Sequence, residues 1–148
     1  MRRLAALLLL LAPPAHAADP PRYVAGPASG YQYDCEQAKQ RVPRLSTLVT
    51  EIPDLDGDGL PEHVIDAAKG CEAVRALYCN ATEGCTVQIY LSRWSGIAER
   101  YKATAWRIER AAGRATLHIT TGGAECGGPS PCTLPLRWTD ERLLPARP

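Results

Sequence analysis

The chain has 148 residues, a formal net charge of +1, 45% hydrophobic residues, six Cys and no Phe. That length argues for one domain. Near-neutrality removes the general attraction to nucleic acid or anionic lipid that a strongly basic chain carries, and the hydrophobic content excludes full disorder.

The first element in chain order is a targeting segment. Arg2 and Arg3 precede an unbroken apolar run, Leu4–Ala12, which Pro13 and Pro14 end. Ala15-His16-Ala17 then puts small residues at both key positions of a signal-peptidase site, so residues 1–17 read as a signal peptide cleaved before Ala18. The run of nine apolar residues is too short for about 30 Å of hydrocarbon. No later segment reaches 18 apolar residues, so no membrane span is expected. Fourteen Arg against three Lys accord with a GC-rich bacterial genome, which makes the destination the periplasm or the outside.

Residues 18–30, rich in Pro and Ala, read as a flexible lead-in, with Tyr31 and Tyr33 as pins. From there to residue 148 the pattern predicts one β-rich domain. Leu48, Thr50 and Ile52 alternate with Val49 and Glu51, and Val64-Ile65 forms a second short strand after an acidic turn. Ala67–Leu77 holds the good helix formers for one short helix. Val87, Ile89 and Leu91 alternate with Gln88 and Tyr90, the signature of a half-buried strand. Glu99–Arg110 reads as two strands or one bent strand, and Ala111-Ala112-Gly113 as a hairpin turn. Ala115, Leu117 and Ile119 oppose Thr116, His118 and Thr120 on the next strand. Leu134, Leu136 and Trp138 alternate again, and Pro135 argues that theirs is an edge strand. Thr139–Arg142 is a turn, and Leu143-Leu144 begins a last strand. The expected fold is mainly β: an antiparallel meander with one short helix, braced by disulfides.

All six Cys follow the cleavage point, and an even number in an exported chain reads as a disulfide framework. Cys79 to Cys85 and Cys126 to Cys132 share one C-x5-C spacing. If both local pairs form, Cys35 joins Cys71, but six Cys allow 15 pairings and sequence alone does not choose. A zinc site is disfavoured, because there is no C-x2-C pair and only His63 and His118 survive cleavage.

The segment Asp54-Leu55-Asp56-Gly57-Asp58-Gly59-Leu60-Pro61-Glu62 carries the chemistry. Carboxylates crowded at alternating positions repel one another unless a cation reverses the sign. Calcium takes 6–8 oxygens from carboxylates, carbonyls and water. Asp54, Asp56 and Asp58 converge if the loop curls, Gly59 permits the turn, the Leu60 carbonyl adds an oxygen and Glu62 closes the ring. An EF-hand needs an acid at the twelfth position, where Ile65 stands. The segment resembles instead the calcium loops of FG-GAP and VCBS repeats, D-x-D-x-D-G-x-x-D followed by an apolar strand. It departs from them at Glu62, where Asp is usual. One loop excludes a whole propeller, which has 4–8 blades. The whole chain looks like small exported bacterial proteins of unknown function that combine a signal peptide, one such loop and a Cys-rich middle. That resemblance implies no activity.

His63 is conceivable as a general base beside the acids, and Arg93, Arg100, Lys102, Arg107, Arg110 and Arg114 as an anion- or partner-binding face. No serine has a nucleophile-elbow context, and no catalytic residue is assigned. The expected function is a non-enzymatic binding or accessory module of the cell envelope, with structural calcium and an unidentified protein or envelope ligand as partner. The alternatives are a proteinaceous inhibitor that presents the Cys126–Cys132 loop to an enzyme cleft, and a metal-dependent envelope hydrolase.

Overall fold

A computed structural model describes residues 19–94, 96–128, 130–139 and 142–146. The signal peptide and its cleavage point before Ala18 lie outside the described residues, as do the middle of the 139–142 turn and Ser95.

The segment expected to be a flexible lead-in is instead mostly helical. Helix α1 runs Arg22–Gln37 and buries Val24, Ala28, Tyr31 and Cys35. Those positions are four, three and four residues apart, which lines one face of a 3.6-residue helix. Pro27 lies in the second turn, where its missing N–H leaves the Tyr23 carbonyl without its i→i−4 donor, so the helix forms here on its buried face rather than on local propensity. A single turn of helix, α2 (Leu45–Leu48), leads into strand β1 (Val49–Ile52).

β1 pairs antiparallel with β2 (Glu62–Asp66), with Ile52 opposite Glu62. A 3₁₀ turn over Ala67–Lys69 and helix α3 (Glu72–Tyr78) follow. Strand β3 (Cys79–Asn80) folds back on the start of β4 (Gly84–Leu91). β4 pairs with β2 and with β5 (Gly96–Ala103). Gly84 is required here: its φ is +94°, and a Cβ would meet the Ala103 carbonyl oxygen at 2.1 Å. Thr104 then breaks the run, giving its N–H to the Thr120 carbonyl at 2.7 Å. The chain passes into β6 (Ala105–Ala111), so Glu99–Arg110 spans two strands in different sheets.

The second sheet has the order β6, β7 (Arg114–Thr121), β8 (Cys132–Thr139), β9 (Arg142–Pro145), all antiparallel. Pro135 therefore does not mark an edge, because β8 is paired on both sides. The Pro135 carbonyl accepts the Ala146 N–H at 2.7 Å. In an antiparallel strand a residue's N and O point the same way. The absent N–H thus faces Ala146, just past the last residue of β9, so the one bond forgone is at the end of the ladder.

The layers are helices on sheet one on sheet two. Val64, Val87, Ile89 and Leu91 of the first sheet pack with Leu117, Ile119, Leu136 and Leu143 of the second. Val49, Ile65 and Tyr90 face the other way, onto Val24, Ala28, Tyr31 and Leu48. β4 is therefore covered on both faces rather than half-buried. Its polar positions survive under α1 because they bond to each other: Gln88 Nε2 donates to the Tyr31 hydroxyl at 2.8 Å, and Tyr90 Oη donates to Gln88 Oε1 at 2.9 Å.

Three disulfides brace this: Cys35–Cys71, Cys79–Cys85 and Cys126–Cys132. The first ties α1 to the start of α3 across 36 residues, and chain-entropy arithmetic gives it about 4 kcal/mol, against about 2 kcal/mol for each six-residue loop. No helix among the described residues is long and apolar enough to cross a membrane. Disulfides in a chain of this kind fit an extracellular or periplasmic protein.

Candidate metal centre

The loop between β1 and β2 is shaped by its own carboxylates. Asp54 accepts twice, from Gly57 N–H at 2.6 Å and Gly59 N–H at 2.8 Å. Asp56 Oδ1 accepts Asp58 N–H at 3.0 Å, and Asp58 Oδ1 accepts Leu60 N–H at 2.8 Å. Gly57 and Gly59 have φ of +83° and +86°, the left-handed region that side chains disfavour. These two reversals curl the chain until Asp54, Asp56 and Asp58 each present an oxygen within 4.8 Å of the others. An all-oxygen set of this kind could hold a hard metal ion.

Glu62 is placed differently from the three aspartates. It is 0% exposed at the head of β2. Oε2 accepts Leu55 N–H at 2.8 Å, and Oε1 accepts Ser92 N–H at 3.2 Å and Ser92 Oγ–H at 3.0 Å. It knits the loop to the end of β4 and stands outside the 4.8 Å triad. Leu60 exposes 54% of its surface, as suits a residue whose side chain is not part of the core.

Ser92 and Arg93 belong to this centre, and sequence reasoning did not place them there. They form the turn after β4. The β2–β4 register, His63 opposite Tyr90, carries that turn to the mouth of the loop. Ser92 Oγ lies 3.3 Å from Asp58 Oδ2 as well as against Glu62. Arg93 Nε lies 3.9 Å from both Asp56 Oδ2 and Asp58 Oδ2.

The electrostatics are unfavourable without a further cation. The Asp56 side chain is 0% exposed, and its Oδ2 has no hydrogen-bond partner. Burial raises the Asp56 pKa, and the Asp58 charge adds to this against the Asp58 N–H, which lowers it. Burial likewise raises Glu62, despite its N–H and hydroxyl donors. An uncompensated buried carboxylate oxygen typically costs about 1–3 kcal/mol or more.

The remaining candidates resolve otherwise. His63 is buried, its pKa lowered by burial; its Nδ1 stands 3.4 Å from the Tyr23 hydroxyl and its ring meets Tyr23 edge-on. His118 Nε2 lies 3.0 Å from Glu109 on the outer face of the second sheet. The six basic residues do not make one face: Arg100 and Lys102 are on β5, Arg107 and Arg110 on β6, Arg114 on β7, and Lys102 is spent on the Tyr78 carbonyl at 2.6 Å. A cleft of about 610 Å³ runs along the loop, between Asp54 and Gly57 on one wall and Arg114, Arg137 and Trp138 on the other. A larger groove of about 840 Å³, lined by Arg41, Arg44, Lys69 and Arg75, shares no residue with the loop.

No family model, curated protein or solved structure matches this chain.

Proposed function

We propose that this is an exported bacterial envelope protein in which the Asp54–Glu62 loop holds one calcium ion as a structural clip, the domain serving as a non-enzymatic binding or accessory module. The observation that carries the reading is the convergence of Asp54, Asp56 and Asp58 around a buried Asp56 oxygen that no hydrogen bond satisfies. Oxygen donors without nitrogen or sulfur favour a hard ion, and calcium's tolerance of irregular coordination suits this loop better than magnesium, which demands a near-ideal octahedron. The sequence pattern resembles that of the FG-GAP and VCBS loops except at Glu62, which serves here as a brace beside the three aspartates.

As a clip the ion would join two connections: the β1–β2 loop directly, and the turn after β4 through Ser92. The cleft beside the loop is the natural place for a ligand, since the clip would stiffen one of its walls. Affinity on the order of 10⁻⁴–10⁻³ M is expected of an extracellular module. At ten times Kd, occupancy adds about 1.4 kcal/mol of stability.

Calorimetric titration of the disulfide-intact domain with CaCl₂, and melting in calcium against EDTA, test this. Saturable heat and a raised Tm are expected; no heat and coincident melting curves overturn the proposal. Export is tested separately, by the mass of the protein recovered from the periplasm or medium, which should begin at Ala18.

A further inference from the structure

We propose that Arg93 is a built-in competitor for the loop's cation, the residue that sets how tightly the aspartates bind an ion and which ions succeed. This rests on reading the loop as a cation site and deepens that reading.

The position of Arg93 is fixed from below. Ser92, its neighbour, is held by contacts to Glu62 and Asp58, so the Arg93 backbone is set at the mouth of the loop. Nε then sits equidistant, at 3.9 Å, from Asp56 Oδ2 and Asp58 Oδ2. That distance is too long for a hydrogen bond. Arg93 lends charge without satisfying Asp56 Oδ2, which stays buried and unbonded. The other side of the guanidinium is open: the Arg93 side chain is 47% exposed, so it can swing outward at small cost.

A metal ion differs on each count. It takes carboxylate oxygens at 2.3–2.6 Å and so engages the atom that Arg93 leaves orphaned. Three aspartates carry three formal negative charges and Arg93 returns one. A divalent ion brings twice the charge of a monovalent one to offset the carboxylates' mutual repulsion, whereas a monovalent ion gains less and faces the same repulsion from the guanidinium. Ion entry at Asp56 and Asp58 therefore pushes Arg93 into solvent, and the turn after β4 gains a free cation in the loaded state.

The test compares wild type, Arg93→Gln and Arg93→Lys by calorimetric titration with CaCl₂ at fixed ionic strength, with NaCl competition and melting in EDTA. Two partly exposed ion pairs correspond to an affinity change of about three- to ten-fold. Arg93→Gln should bind calcium that much more tightly, lose more of its affinity to added NaCl, and melt lower than wild type in EDTA. Arg93→Lys, which keeps the charge, should stay near wild type and shows that the turn tolerates substitution. If wild type binds calcium and Arg93→Gln binds equally or more weakly, the competitor role is overturned while the cation site stands. If neither binds calcium, both proposals fall.

Discussion

Two hairpin connections in this molecule solve the same problem with very different means. Ala112-Gly113 joins β6 to β7 in two residues, with φ of +50° and +75° and Ala111 opposite Arg114. Positive φ at both central positions is the tight-turn geometry that matches strand twist. The connection from β1 to β2, residues 53–61, spends nine residues to reverse the same kind of strand pair and gathers three carboxylates on the way. Turning the chain needs none of that charge. What the longer loop adds to a bare reversal is an oxygen cage, a docking point for Ser92 and an unsatisfied buried oxygen.

The sharpest way to separate the two connections is Asp56→Asn. Loss of one charged donor should weaken calcium binding by about two orders of magnitude, or about 2.7 kcal/mol. In EDTA the same variant should melt no lower than wild type, since it removes a buried charge that nothing satisfies. A calorimetric Kd left unchanged would break the comparison.

The next pair of variants asks whether the glycines do different work. Gly59→Ala and Gly113→Ala each force a side chain into left-handed backbone and should each cost about 1–2 kcal/mol in EDTA. Gly59→Ala should also weaken calcium binding, whereas Gly113→Ala should leave Kd untouched. Equal effects on Kd would mean that the curl of the long loop is not tied to its ligands.

Acidity provides a gentler probe. Asp56 and Glu62 have pKa values raised above 3.8 and 4.5 by burial. The native state without metal thus holds their protons more tightly than the unfolded chain does. Their contribution is fully present below the unfolded values and is lost as pH rises through the folded ones. Tm in EDTA should accordingly drift down, from these groups, as pH rises above about 4, and calcium should flatten that drift. Asp56→Asn should flatten it without calcium. The smallest change is expected of Ala112→Gly, which relieves a left-handed alanine and should add about 0.5 kcal/mol in chemical denaturation with no change in Kd.

Legibility in the sequence followed the range of each interaction. β4, β7 and β8 were visible because alternation is local, and the aspartate triad because its spacing lies within one loop. The mainly β class followed from those strands, although the short helix expected over Ala67–Leu77 is joined by α1 and α2. Helix α1 was obscured by Gly26, Pro27 and Gly30, which read as loop chemistry, although Val24, Ala28, Tyr31 and Cys35 carried a helical stripe. Missing α1 made Gln88 and Tyr90 look solvent-facing. The roles of Ser92 and Arg93 depend on the β2–β4 register, 30 or more residues from the aspartates they meet, and no local pattern announces that pairing.

The Cys35–Cys71 bridge has a consequence for the order in which the molecule matures. Synthesis runs from the amino end, so α1 is made before any of the sheet that will shelter it. Its thiol must then wait for 36 more residues, β1, the acidic loop and β2 among them, before its partner arrives. A nascent chain oxidised too early would meet Cys79 or Cys85 only after passing the correct partner, whereas one kept reduced would leave α1 untethered over Tyr90. The helix is thus the first element of the fold to be translated, and its bridge is the first of the three for which both cysteines have been made.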